Sequence, residues 1–225
     1  EENDKINITE YTQICMLTAE AAILRALEVK GYKADVTAGL SLGEYGALIA
    51  CGALSRKDAF ALVRKRGIYM QEAVPEGGAM AAVLALDTAQ IEEACKKTEG
   101  IVSIANYNCP GQIVITGEEK AVAAAGELCK EAGAKRVVPL KVSGPFHSAM
   151  LKGAGEKLGE ELKHVTVHTP AIPYVANVTA DYVTKEEEIK PLLEKQVSSS
   201  VRWQQTIERL IADGADKFVE IGPGK

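Results

Sequence analysis

Aromatic residues make up 5% of this chain, with a single tryptophan and three histidines, and no long stretch is apolar or of one charge sign. Each shortage excludes something. The longest basic cluster is Val63-Arg64-Lys65-Arg66-Gly67, and few aromatics accompany it for bases to stack on, so no nucleic-acid surface is expected. No apolar run approaches the ~20 residues of a membrane-spanning helix and no signal peptide is recognisable, so no membrane association is expected. The five cysteines (Cys15, Cys51, Cys95, Cys109, Cys129) are odd in number, scattered and mostly set in apolar segments. They read as reduced, packed thiols, and the cytoplasm is the expected compartment. His164 and His168 would share a metal on a helix, but His164-Val165-Thr166-Val167-His168 alternates like a strand and separates them by about 13 Å. Both are expected at the surface, and no metal site is expected.

What is present is ample: 225 residues, 47% hydrophobic, with a net charge of −5, enough for one large domain or one carrying an inserted smaller one. The most specific feature is Thr37-Ala38-Gly39-Leu40-Ser41-Leu42-Gly43-Glu44-Tyr45. Residues 36–38 read as the end of a buried strand and residues 42–51 carry apolar side chains at helical spacing, which puts Ser41 on the hinge. Glycines at 39 and 43 are expected to let backbones pass closely in so sharp a turn. The turn pushes the hydroxyl outward while the first helix amides face charge developing beside it, the geometry of an acyl-transferring nucleophile.

The remaining pattern is α/β. A helix over 12–30 closed by Gly31 precedes the strand, and Ser55-Arg56-Lys57-Asp58 resembles a capping box opening a helix to about 72. A break at Pro75-Glu76-Gly77-Gly78 follows. Then come strand 79–86, helix 88–97, strand 101–106, a turn at 108–111, strand 112–116, helix 118–132 and strand 135–141, a ferredoxin-like βαββαβ unit of ~65 residues. The larger domain resumes near Ser143 with a helix over 150–162, a strand over 174–177, a helix over 201–212 and a last strand over 217–221. The expected division is 1–76 with 143–225, and 77–142. No internal repeat appears. The chain opens on Glu1-Glu2-Asn3-Asp4 without methionine and stops just after the last strand, so further sequence is expected at both ends.

Two more residues suggest chemistry. His147 lies in Ser143-Gly144-Pro145-Phe146-His147-Ser148, where the inserted unit returns to the larger domain, and clefts form at such junctions. It is a catalytic base or a satisfied structural histidine. Arg66 falls within the stripe of Ala59, Leu62, Val63 and Met70. A guanidinium turned inward needs an anion, supplied by an internal salt bridge, by solvent at the helix edge, or by a substrate carboxylate gripped in a planar fork.

At these residues a family can be recognised. Gly39 to Tyr45, Arg66-Gly67 with Met70-Gln71, Asn106-Tyr107-Asn108 with Pro110-Gly111-Gln112, Pro145-Phe146-His147-Ser148 and Glu220-Ile221-Gly222-Pro223-Gly224 occur in that order. Together they resemble the malonyl-CoA:acyl-carrier-protein transacylases of bacterial fatty-acid synthesis, over essentially the whole chain. The resemblance implies an α/β-hydrolase-like parallel-sheet domain with an inserted ferredoxin-like (βαββαβ) subdomain and an active site between them. It implies Ser41 as nucleophile, His147 as base and then acid, Arg66 as holder of the malonyl carboxylate, and the Leu42 amide as half the oxyanion hole. The backbone carbonyl of Gln196 would orient His147, its side chain mattering little. Asn106 and Asn108 would shape the acyl pocket, and Phe146, a bulky ring, would favour malonyl over a branched acyl group. The implied partners are malonyl-CoA as substrate and acyl carrier protein, with no metal or redox cofactor and a monomeric state.

Two departures stand out. Leu40 occupies the position where the family usually has histidine, so one polar pocket wall becomes apolar. The glycine- and glutamine-rich opening loop whose amide completes the family's oxyanion hole is not in this sequence. One lost oxyanion donor costs ~10²–10³ in rate. Two other readings are a serine esterase or thioesterase, and a non-catalytic fragment that binds carrier protein.

Overall fold

The computed structural model describes residues 4–74, 76–142 and 144–223. The break at Pro75, the resumption at Ser143 and both chain ends lie outside these residues.

Helix α1 (Thr9–Val29) begins three residues before the expected start. Its end is a Schellman closure: the Gly31 N–H donates to Glu28 O and the Tyr32 N–H to Leu27 O, with Gly31 at φ +83° where a side chain would be strained. Strand β1 (Thr37–Ala38) leads into α2 (Gly43–Ala50). Helix α3 (Arg56–Ala73) starts at a capped Ser55, whose Oγ accepts from the Asp58 N–H and donates to the Asp58 carboxylate. Its buried stripe, Ala59, Leu62, Val63, Arg66, Gly67 and Met70, faces the core as the spacing predicts.

The βαββαβ order follows as read: β2 (Gly78–Leu84), α4 (Thr88–Lys97), β3 (Val102–Cys109), β4 (Gln112–Glu118), α5 (Glu119–Glu131) and β5 (Arg136–Pro139). The sheet runs β3-β4-β2-β5 with every neighbour antiparallel. Strand β3 outlasts its expected end because the hairpin turns on Pro110-Gly111 alone. Side chains alternate between two apolar layers: Ala81, Val83, Ile113 and Ile115 pack against Ile91, Ala125 and Cys129, whereas Met80, Ala82 and Val114 line the opposite face with Ala105. Phe146 packs against that second layer and against the core of the rest of the chain, joining the two.

Beyond a 3₁₀ turn at Ala149–Leu151 come α6 (Lys152–Lys163), β6 (Tyr174–Val175), β7 (Tyr182–Val183), α7 (Glu186–Gln196) and α8 (Trp203–Ala212). The main core gathers Leu17, Leu48, Leu62, Leu151, Leu158 and Leu193, all essentially inaccessible, each stabilising the fold by about 2 kcal/mol through burial. His164 and His168 are exposed, and the expected strand around them reduces to one bridge between Leu54 and Val167.

The three-stranded sheet, ordered β1-β6-β7, has the parallel pair that the α/β reading expects (β1 with β6) and one antiparallel pair (β6 with β7). One expectation changes here. Residues 217–221 form no strand. A strand is defined by the ladder it makes, and this segment pairs with no strand among the described residues; Phe218 and Val219 stay half exposed.

The segment after α7 threads back to the inserted sheet. Val201 N–H donates to Ala105 O at 2.7 Å, Tyr107 N–H donates to Val201 O at 2.9 Å, and the Ser200 hydroxyl donates to Ile104 O at 2.6 Å. This places Asn106 directly beside Val201 in a parallel bridge.

Candidate active site

Ser41 stands between β1 and α2 in the left-handed region, at φ +53°, a conformation that costs a non-glycine residue about 1–3 kcal/mol. Gly39 makes the turn possible, since a Cβ there would lie 2.0 Å from Gly43 O. The expectation for Gly43 changes: a Cβ at that position meets nothing within 4 Å, so its backbone is what passes closely, and its lack of a side chain is not required for space.

Two buried amides hold the strained residue. Ser41 N–H donates to Asn177 Oδ1 at 2.6 Å, and Asn177 Nδ2 donates to Gly39 O at 2.6 Å. Gln196 Nε2 donates to Ser41 O at 2.8 Å. The half-buried hydroxyl is thus fixed facing His147, whose Nε2 is 2.8 Å from Ser41 Oγ. His147 is itself in the left-handed region at φ +58°. Its Nδ1 lies 2.9 Å from Gln196 O; a carbonyl only accepts, so the proton sits on Nδ1 and Nε2 is left bare toward the serine. Burial, reinforced by the Arg66 charge, pushes the imidazole down to about 4, so it is a neutral acceptor at physiological pH.

Arg66 is 1% exposed and makes no ion pair among the described residues. Its Nη1 donates to Gln13 Oε1 at 2.6 Å; its Nη2 donates to Gln196 Oε1 and to Ser41 Oγ, both at 3.0 Å. Its Nε is buried without a partner among the described residues. The Tyr45 ring lies 5.7 Å from the guanidinium carbon. Beneath the serine, fully buried Glu44 accepts from Gln196 Nε2 at 2.7 Å and from Asn177 N–H at 3.2 Å, both on Oε2. Burial raises its carboxyl to about 7.

The other expected residues are placed less tightly. Leu42 caps α2, and its N–H has no acceptor among the described residues. Leu40, next to Ser41, is 37% exposed. Asn106 is buried and Asn108 half-buried, and among the described residues no hydrogen bond joins either side chain to Ser41, His147 or Arg66. A surface hollow of about 450 Å³ lined by Val165, Thr166, Val167, Glu186, Glu187 and Lys190 contains none of these residues.

Four contributions were not foreseen from the sequence: Gln13, Glu44, Asn177 and the side chain of Gln196, which is wholly buried and engaged on both its atoms. Glu44 follows the serine by three positions and Asn177 ends an apolar run, and those two polar residues in buried contexts were the available signals.

A family model described as the acyl transferase domain matches residues 1–224. The malonyl CoA-acyl carrier protein transacylase of Bacillus subtilis is 49% identical over 99% of this chain and 71% of its own length. A crystal structure of an MCAT from Streptococcus pneumoniae superposes with a TM-score of 0.95 at 51% identity, covering 98% of this chain and 73% of that one. A type II PKS acyl-carrier protein in complex with its malonyl-transacylase gives 0.95 at 45% identity, with 98% and 73% covered. With nearly its whole length matched and a strained serine, a neutral histidine and a buried arginine meeting at one oxygen, the chain belongs to the acyl transferase domain family.

Proposed function

We propose that this enzyme transfers a malonyl group from malonyl-CoA to the phosphopantetheine thiol of acyl carrier protein through a malonyl ester on Ser41. One observation carries the reading: Ser41 Oγ lies 2.8 Å from a neutral imidazole nitrogen and 3.0 Å from a buried guanidinium nitrogen. The first suits acyl transfer; the second suits an acyl group that bears its own carboxylate. Esterase chemistry has no use for the second, and the relatives do not favour it or a non-catalytic fragment.

His147 Nε2 takes the hydroxyl proton as Oγ attacks the thioester carbonyl, and the new oxyanion receives the Leu42 N–H. The C–S bond then breaks and the imidazolium returns its proton to the coenzyme A thiolate. The carrier-protein thiol gives its proton to His147 as its sulfur attacks the ester carbonyl; the bond to Ser41 Oγ then breaks and the imidazolium returns the proton to Oγ, restoring Ser41. The Gln196 carbonyl steers the imidazole throughout. Every proton is accounted for by these groups, and the route draws on no redox step. The edge of Arg66 formed by Nε and Nη2 is the one that grips a carboxylate side-on; Nε without a partner beside Nη2 at the nucleophile supports that role.

Leu40, Asn106, Asn108 and Phe146 shape the acyl pocket in this reading, supported by Leu40's exposure beside Ser41 and by Phe146's place between the two cores. Those separate cores also support a division into 1–76 with 143–225, and 77–142. The proposed setting is a cytoplasmic monomer; no helix among the described residues is long and apolar enough to cross a membrane. Intact-protein mass spectrometry after mixing with malonyl-, methylmalonyl- or acetyl-CoA tests the whole: one malonyl group should add, and the chain remaining unmodified with malonyl-CoA would reject the proposal.

A further inference from the structure

A primary amide has a donating end and an accepting end, and a buried one is useful only if it faces the right way. Gln196 is wholly buried, with its nitrogen between two oxygens, Ser41 O at 2.8 Å and Glu44 Oε2 at 2.7 Å, and its oxygen toward Arg66 Nη2 at 3.0 Å. Turned over, it would set an oxygen against two acceptors and an NH₂ group against the guanidinium. Ser41 O accounts for one amide hydrogen and Glu44 for the second. The other acceptor in reach, Asn177 Oδ1, is a longer contact at 3.4 Å and shares its oxygen with the Ser41 N–H at 2.6 Å. Without Glu44 the second hydrogen keeps only that longer, shared contact in place of a 2.7 Å bond, a loss that a reversal of the amide does not relieve.

We propose that Glu44 is a positioning residue for Arg66: it is the fixed acceptor at the far end of a Glu44–Gln196–Arg66 relay, and it sets the direction of the Gln196 amide so that the guanidinium is held at the nucleophile. This rests on Arg66 being the group that binds the substrate carboxylate. Both hydrogen bonds to Glu44 fall on Oε2, and Oε1 has no partner among the described residues. The accepting oxygen is therefore what the relay uses, and the charge is dispensable to it. A proton, or an amide nitrogen, at the Oε1 position leaves both bonds in place. The anion lies beneath Ser41, near Arg66, Tyr45 and Tyr174, and its removal does not weaken attraction of an anionic acyl group.

The test compares Glu44→Gln with Glu44→Met in the full chain, measuring kcat/KM for malonyl-CoA and for acetyl-CoA with carrier protein as acceptor, beside a thermal melt. Glu44→Met should lower the malonyl-to-acetyl ratio at least about tenfold, mainly through KM for malonyl-CoA, because the arginine is no longer held. Glu44→Gln should stay within about threefold of the native ratio. A purely structural acid would lower the melting temperature and both activities in proportion, leaving the ratio untouched; an unchanged ratio in Glu44→Met overturns the relay. So does a Glu44→Gln ratio that falls as far as that of Glu44→Met, since charge would then be the operative property. Arg66→Ala run alongside separates the two ideas: a collapsed ratio there with none in Glu44→Met rejects the relay alone, and an unchanged ratio in Arg66→Ala rejects the carboxylate reading too. Should Glu44→Met fail to fold, Gln196→Met removes the middle member and is read by the same ratio.

Discussion

Asn177 clasps the turn at Ser41 from both sides, its carbonyl oxygen taking the Ser41 N–H at 2.6 Å while its amide nitrogen reaches back to Gly39 O at 2.6 Å. One side chain thereby fixes the peptide groups before and at the nucleophile in a conformation they would not choose alone. Asn177→Ala should slow acylation of Ser41 by about tenfold or more and destabilise the fold by about 1–3 kcal/mol, since a buried N–H and C=O lose their partner together. Stopped-flow acylation with a thermal melt checks this, and a variant acylated at the native rate would show that the turn holds itself.

The malonyl ester should form on Ser41 and vanish in Ser41→Ala, with the far-ultraviolet circular dichroism unchanged. The turn is held through Ser41's backbone, which alanine retains, so the fold does not depend on the hydroxyl. A label surviving the substitution would place the nucleophile elsewhere.

Arg66→Ala should collapse malonyl transfer while sparing or improving acetyl transfer, because acetyl has no carboxylate to lose. Truncating one partner of a buried charge pair costs ~2–5 kcal/mol, about 30-fold to several thousandfold in selectivity. Arg66→Lys should rescue only in part, a point charge lacking the fork. Steady-state kinetics with both thioesters decides the matter, and proportional loss of both activities with a lowered melting temperature would assign Arg66 to stability alone.

His147 and Glu44 should tilt the stability curve in opposite directions. The folded pKa of His147 is depressed from 6.5 to about 4, so the unfolded chain binds more protons across that window and the group's contribution is lost as pH falls through it. Glu44 is raised from 4.5 to about 7; its contribution is full below 4.5 and lost as pH rises through 7. Melting temperatures from pH 4 to 7 should therefore rise less steeply with pH in His147→Gln than in the native enzyme, and more steeply in Glu44→Gln. Parallel curves for all three would contradict both assignments. The rate of Ser41 acylation should hold well below pH 6.5, the base being unprotonated there.

Ser41, His147 and Arg66, which the fold brings together, were legible as candidates because each announces itself within a few neighbours: a serine between strand and helix, a histidine in a Pro-fixed loop, a guanidinium inside an apolar stripe. The inserted unit was legible because period-two and period-3.6 patterns alternate over it cleanly. The residues that tune the site were hidden by distance along the chain. Asn177 meets Ser41 across 136 positions and Gln196 meets it across 155, and no local pattern encodes such a meeting. Helix α7 was masked by Pro191 inside it, an ordinary breaker signal, and residues 217–221 have the composition of a strand without a ladder to join.

The threading of residues 200–201 onto strand β3 makes the inserted sheet and the steering carbonyl of Gln196 one mechanical linkage. Only a few residues separate Gln196, at the end of α7, from the bonds that Ser200 and Val201 make to Ile104, Ala105 and Tyr107. Displacing that sheet would strain those bonds and, through residues 197–199, the backbone that carries the Gln196 carbonyl bonded to His147. The sheet is thus a distant anchor for the imidazole's partner.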